Sequence, residues 1–261
     1  MAMTSILGRC TQCMVQNSNN NSTGTTGRRP RQAPWEQTSD YALICSELLT
    51  CEVYFEQSVA EAMDQRCRNE AGDAYDGTLA GPLVFSHLLY LLCHCFLYQP
   101  VLLSERIRES NGKASHNFLA RGLDSGFDAA NRMIRLVRDV KAAGYHPRGS
   151  FYGYCLVVAG SILAIGVSST RQAVRDECST SLTSCREIIG ELAELWPSCL
   201  SMRHVLDGLI KRVERFSTLA ATATFLEPLE RADRDFMWAI LDYNTLCSKT
   251  DGFWDSQSGR E

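Results

Sequence analysis

The sequence predicts an all-α protein, a multi-helix bundle preceded by a disordered N-terminal arm. Three observations lead there. From Trp35 onward, apolar residues recur at helical spacing nearly throughout, and no β-branched alternating run of strand length competes. Capping and stop residues cut that pattern into pieces of helix length. Residues 15–34, VQNSNNNSTGTTGRRPRQAP, carry almost no large apolar side chain, so they cannot bury enough surface to offset the entropy of ordering.

These signals divide the chain into a disordered segment 1–34, a helical domain 35–247 and a flexible tail 248–261. Within the domain, residues 37–64 follow a period near 3.6, and NEAGDAYDG (69–77) breaks it. Residues 79–109 form a longer helix that Pro100 kinks or interrupts, because proline removes a backbone donor. Ser125 with Asp128 resembles a capping box and opens a helix to Ala143. Gly144 fits its C′ position, with Pro147 just beyond. Ser150 caps the next helix, 151–168. Cys178, Leu182, Cys185, Ile189, Leu192 and Trp196 then mark one helical stripe. The WPS stretch ends it, and Ser198 caps a helix bearing Val205, Leu206, Leu209, Val213 and Phe216. Phe236 to Leu246 reads as a last docked helix, with an acidic-aromatic coactivator motif as the rival reading.

A formal net charge of -4 argues against a broad nucleic-acid-binding surface, which needs clustered Lys and Arg. Arg28, Arg29 and Arg31 read as solvated linker rather than an import or DNA-backbone contact. Arg132, Arg135, Arg138 and Lys141 read as a solvated helix face. Twelve cysteines, several at apolar helical positions, and a start without a basic n-region point to a reducing intracellular compartment. The sequons at Asn20 and Asn21 then read as chance. No Gly-rich phosphate loop, nucleophile elbow or histidine-carboxylate constellation appears, so no enzyme is expected and no catalytic, cofactor-binding or metal residue is assigned.

The stretch HLLYLLCHCFLYQP (87–100) tests that restraint. On a helix, Cys93 and Cys95 point about 200° apart and cannot share one ion. His87 and His94 share a face with Tyr90, Leu91 and Tyr98, yet a metal there needs a third ligand from elsewhere. Cys10 and Cys13 have ligand-like spacing without a second pair at finger spacing. The alternative reading is a two-span membrane protein. Segments 77–104 and 149–170 contain no Asp, Glu, Lys or Arg and exceed the roughly 20 residues a span needs. Polar interruptions and amphipathic neighbours favour a central bundle helix instead.

FSHLLYLLCHCFLYQPVLL resembles a segment of the regulatory, middle-homology domain of fungal zinc binuclear cluster transcription factors. AANRMIRLVRDVKAAGYHPRGSFYGYCLVVAGSILAI is similar to the next helix pair of that domain, and CREIIGELAELWPSCLSMRHVLDGLI to the pair after it. DFMWAILDYNTLC resembles its closing segment, and the likeness spans about residues 35–247. The resemblance implies a nuclear regulator of RNA polymerase II transcription. It implies action through transcription machinery, coregulator proteins or an effector, with a homodimer also admitted and no membrane. Zinc and DNA contact belong to the family's six-cysteine N-terminal cluster. No positions here match it: Cys10 and Cys13 stand alone and the next cysteine is Cys45. The expected object is therefore the C-terminal part of such a regulatory domain, or a relative without its own DNA-binding cluster, with no cofactor in this chain.

Overall fold

The computed structural model describes residues 2–15, 33–54, 77–109, 116–222 and 230–248, and no strand occurs among them. In chain order the helices are α1 (Ala2–Val15), α2 (Asp40–Tyr54), α3 (Gly77–Leu97), α4 (Pro100–Glu109), α5 (His116–Ala142) and α6 (Ser150–Gly166). There follow α7 (Gln172–Leu195), α8 (Pro197–Arg212), a 3-10 turn (Val213–Phe216), α9 (Ser217–Thr222), α10 (Arg231–Leu241) and α11 (Tyr243–Ser248). The all-α bundle is as expected.

Helix α6 lies at the centre, because a helix that is apolar all round must be covered on every side. Every residue from Tyr152 to Gly166 is buried, and α3, α5, α7 and α8 all pack on it. Three glycines let α7 and α8 come close. A Cβ at Gly153 would stand 2.7 Å from Cys199 Sγ. One at Gly160 would stand 2.9 Å from Leu206 Cδ2 and 3.2 Å from Cys185 Sγ. One at Gly166 would stand 2.5 Å from Cys178 Sγ and 3.1 Å from Phe127. Each of these cysteines is fully buried and acts as a small hydrophobe seated against a missing side chain.

The amphipathic helices turn one stripe inward. On α5 it comprises Leu119, Leu123, Phe127, Ala130, Met133, Ile134, Val137 and Val140; on α7 it comprises Cys178, Leu182, Cys185, Ile188, Ile189 and Leu192. The outer faces pair across helices: Arg135 with Glu177 at 3.1 Å, Arg186 with Asp207 at 2.8 Å, and Lys141 with Glu191. The Arg132–Lys141 stripe is thus largely neutralised by acidic neighbours, among them Glu52, 3.3 Å from Arg132.

Several boundaries differ from the expected ones. Helix α5 begins nine residues before Ser125, which lies exposed within it, and Asp128 pairs with Arg132 at 3.6 Å rather than closing a capping box. Gly149, not Ser150, is the N-cap of α6, and the Ser150 hydroxyl meets Tyr243 Oη at 3.1 Å. Trp196, not Ser198, precedes α8, with Pro197 in its first turn; proline holds the preceding residue extended. Trp196 is also exposed, so the α7 stripe ends at Leu192. Pro100 does end one helix and start another: Gln99 Oε1 accepts the Leu102 N–H at 2.9 Å, capping α4. Gly144 has φ 86°, and the Gly144 and Tyr145 N–H groups donate to Lys141 O and Val140 O. That is the Schellman arrangement at the C′ position assigned from sequence.

The N-terminal expectation needs a correction. The disorder expected over 1–34 does not cover Ala2–Val15, which is helical and buries Met3, Ile6 and Cys10 at i, i+3, i+7 spacing against α3. The signal was hidden in a stripe only three residues long. Residues 16–32, including Arg28, Arg29 and Arg31, and residues 249–261 of the expected tail lie outside the described residues.

The close approach at α6 is testable. Gly166→Ala places a methyl where Cys178 already stands, and overpacking of this kind costs about 1 to 3 kcal/mol. Urea denaturation should show that loss, and Cys178→Ala in the same chain should restore part of it. Gly8→Ala in α1, where nothing lies within 4 Å, should be neutral or slightly stabilising.

Candidate functional site

Two arrangements flank α3 on opposite faces, since Leu92 and Phe96 lie one turn apart while His94 sits about 200° from each. On the His94 face, aromatic rings form a continuous ladder from residue 35 to residue 87. Trp35 meets Phe118 at 5.7 Å, Phe118 meets Tyr41 at 6.0 Å, and Tyr41 meets Tyr98 at 6.2 Å. Tyr98 stacks on His94 at 5.8 Å, His94 lies edge-on to Tyr90 at 4.7 Å, and Tyr90 reaches His87 at 6.1 Å. The Arg106 guanidinium lies 5.7 Å from the Tyr41 ring centre, a cation–π contact. Arg132, held by Glu52 and Asp128, closes the seam from α5.

Burial pushes both histidines down to about 4. Arg132 reinforces the shift at His87; at His94, Glu52 partly opposes it and Arg132 adds to it. Both rings are therefore neutral at pH 7. His94 Nε2 finds no hydrogen-bond partner among the described residues.

The Cys93-His94-Cys95 triplet splits as helical geometry requires. Cys93 and Cys95 are both fully buried. The neighbouring Cys10 of α1 and burial push the Cys93 thiol up; burial alone pushes Cys95 up. No group of three or more His, Cys, Asp or Glu side chains able to hold a metal occurs among the described residues. Cys10 is fully buried, while Cys13 sits half-buried near Arg106, Asp40 and Cys10 itself.

On the opposite face of α3 lies a cleft of about 280 Å³ between α1, α3, α6, α10 and α11. Leu7 and Thr11 form one wall, Leu92 and Phe96 the floor, Phe151 and Tyr154 a second wall. Trp238, Leu241, Asp242 and Tyr243 close it. The rings pack edge-on, with Tyr154 to Tyr243 at 5.3 Å, Phe151 to Tyr243 at 5.7 Å and Phe96 to Tyr154 at 6.5 Å, which fixes their orientation. Tyr154 Oη donates to Leu241 O at 2.6 Å. Asp242 caps α11, accepting the Asn244 N–H at 3.0 Å and the Thr245 hydroxyl at 2.6 Å. Sequence reasoning missed this site. Each of its aromatics reads as ordinary core, and the only signal was the aromatic density of FYGY and MWAILDY.

The C-terminal helices that close the cleft are docked. Phe236, Met237, Ile240 and Leu246 are buried. Buried Asp233 lies 3.0 Å from Arg215 and 3.9 Å from Arg212, and Arg212 stands 4.6 Å over the Phe236 ring. Arg234 reaches Glu105 of α4 at 3.3 Å. Docking, rather than an exposed acidic-aromatic motif, describes residues 236–246.

The histidine seam predicts an acid-sensitive fold. An unfolded histidine titrates near 6.5, and both folded values lie below it. The stability they contribute is therefore fully present above about pH 6.5 and lost as pH falls towards 4. At pH 5 the expected loss is on the order of 1 to 2 kcal/mol for each histidine. Urea midpoints from pH 7 to 4.5 should fall accordingly, and His94→Gln should flatten the slope.

No protein-family model, curated protein or solved structure matches the chain, so what the two faces of α3 do is read from their own residues.

Proposed function

We propose that this chain is a transcription-regulator module, the C-terminal part of a regulatory domain like that of fungal zinc binuclear cluster factors, acting in the nucleus through an effector or coregulator. The observation that carries the reading is the aromatic cleft, together with the sequence resemblance over residues 35–247. A half-open, mostly apolar cavity with few polar groups suits a small apolar molecule. Its walls come from both ends of the described chain, α1 and α10–α11, so an occupant bears on how those terminal helices dock. Catalysis draws no comparable support. The carboxylate at the cleft is engaged in capping α11, and the histidines lie on the other face of α3.

The two-span membrane alternative has less support. Among the described residues one helix, Ala80–Leu97, is long and apolar enough to cross a membrane, and much of it is buried inside the bundle. The second expected span, 149–170, becomes the 17-residue α6, enclosed by helices whose outer faces carry ion pairs. Such helices need water on one side.

The test joins the full chain to an unrelated DNA-binding domain in yeast and reads a reporter gene. Reporter output should change several-fold, and Leu92→Arg, which fills the cleft with charge, should abolish the change while helical circular dichroism persists. An unchanged reporter, or protein held in carbonate-washed membranes, would overturn the reading.

A further inference from the structure

We propose that the aromatic cleft takes a small organic cation, a quaternary or protonated amine carried on a ring-sized apolar body. This rests on the reading of the cleft as an effector site and names the chemistry of its ligand. Size comes first. A cavity of about 150 Å³ suffices to hold benzene, and this one is about 280 Å³, so a ring and a branched head fit together. The lining then decides the charge. Among the described residues no Lys, Arg or His lines the cleft, and Asp242 is its one charged side chain. Asp242 is exposed, so a carboxylate stands at the mouth with no cation in the lining to offset it.

The hydrogen-bond donors point the same way. Thr11 donates its hydroxyl to Gly8 O at 2.8 Å, and Tyr154 donates to Leu241 O at 2.6 Å. The Tyr243 hydroxyl is paired with that of Ser150 at 3.1 Å. The hydroxyls of the lining are thus engaged within the protein, and an anion entering the cleft meets neither a positive charge nor an idle hydroxyl. A cation meets acceptors. Asp242 accepts one hydrogen bond on each carboxylate oxygen, from the Asn244 N–H and the Thr245 hydroxyl, and each oxygen has a further lone pair. The rings supply the rest. Tyr154 and Tyr243 are inclined by 72°, Phe151 and Tyr243 by 61°, and Phe151 and Tyr154 by 47°. Rings set at such angles form a corner, where a cation meets more than one negative π-face. The ammonium head accordingly lies toward Tyr154, Tyr243 and Asp242. The apolar body lies on Leu7 and Leu92 and covers that corner from water, which strengthens the cation–π contact.

Equilibrium dialysis of the full chain at neutral pH tests this with two probes, 4-(hydroxymethyl)phenyltrimethylammonium and 4-tert-butylbenzyl alcohol. They share a shape and differ in charge, so the ratio of their dissociation constants needs no variant. The ammonium should bind about tenfold more tightly or better. Asp242→Asn keeps the cap of α11, since asparagine caps as well as aspartate. It should weaken the ammonium several-fold and leave the alcohol unchanged. Leu92→Arg should abolish binding of both while helical circular dichroism persists. An alcohol that binds as tightly as the ammonium, an ammonium indifferent to Asp242→Asn, one retained by folded Leu92→Arg, or no saturable binding would each overturn the proposal. The reporter assay is a separate matter. A silent reporter with a bound ammonium overturns the regulator reading and upholds the ligand class; a responsive reporter with the alcohol preferred does the reverse.

Discussion

The bundle depends on how closely α7 and α8 approach α6. A fully buried helix forfeits every water contact, so its stability rests on dense packing along its whole length. Gly153, Gly160 and Gly166 remove side chains at three levels of α6, and Cys199, Cys185 and Cys178 fill those levels from the neighbouring helices. A leucine would be too bulky at these places, and an alanine would leave part of the gap open. Cysteine is near the right volume, and burial keeps the thiols protonated, pushing Cys185 up to about 12 and Cys178 and Cys199 up to about 11. The many cysteines of this chain are, in that region, a packing device.

With α6 held in this way, α3 becomes a partition. One of its faces meets α2 and α5 through rings, a pair of neutral histidines and Arg132; the other faces a cavity bounded by the terminal helices. The polar face is crowded and closed, and it makes the fold sensitive to acid. The apolar face is the one with space for another molecule. Charge on the protein surface plays a smaller part. Most of its ion pairs are exposed, and such pairs contribute about 0 to 1 kcal/mol each. Asp233 and Glu105 differ because they are buried and paired with arginine, and they orient α10 rather than merely decorating it.

Much of the fold was legible in the chain because helical periodicity is a local property. The stripe on α7, the break at Pro100 and the left-handed Gly144 could all be read from spacing and residue type. Caps were less legible. Ser125, Ser150 and Ser198 are good capping residues that tertiary packing overrode, with Gln99 and a Trp-Pro pair taking over that role. Helix α1 escaped notice because its buried stripe has three members and only its packing on α3 and α2 makes sense of it. The cleft was illegible for a related reason: residues 7, 92, 154 and 238 are distant in sequence, and a wall residue has the same composition as a core residue. The splitting of Cys93 from Cys95, by contrast, followed from helical geometry alone.

The glycine–cysteine contacts make the three inner sulfurs a built-in clock. A maleimide cannot enter where a methyl group does not fit, so Cys178, Cys185 and Cys199 can be alkylated only when the helices part. Helix α6 is enclosed by the rest of the bundle, so their separation amounts to unfolding the whole domain. Their labelling rate in native buffer therefore counts global openings, while fully buried Cys10 counts the lifting of one terminal helix. A single labelling time course on the unmodified protein would resolve both events, with no fluorophore and no denaturant.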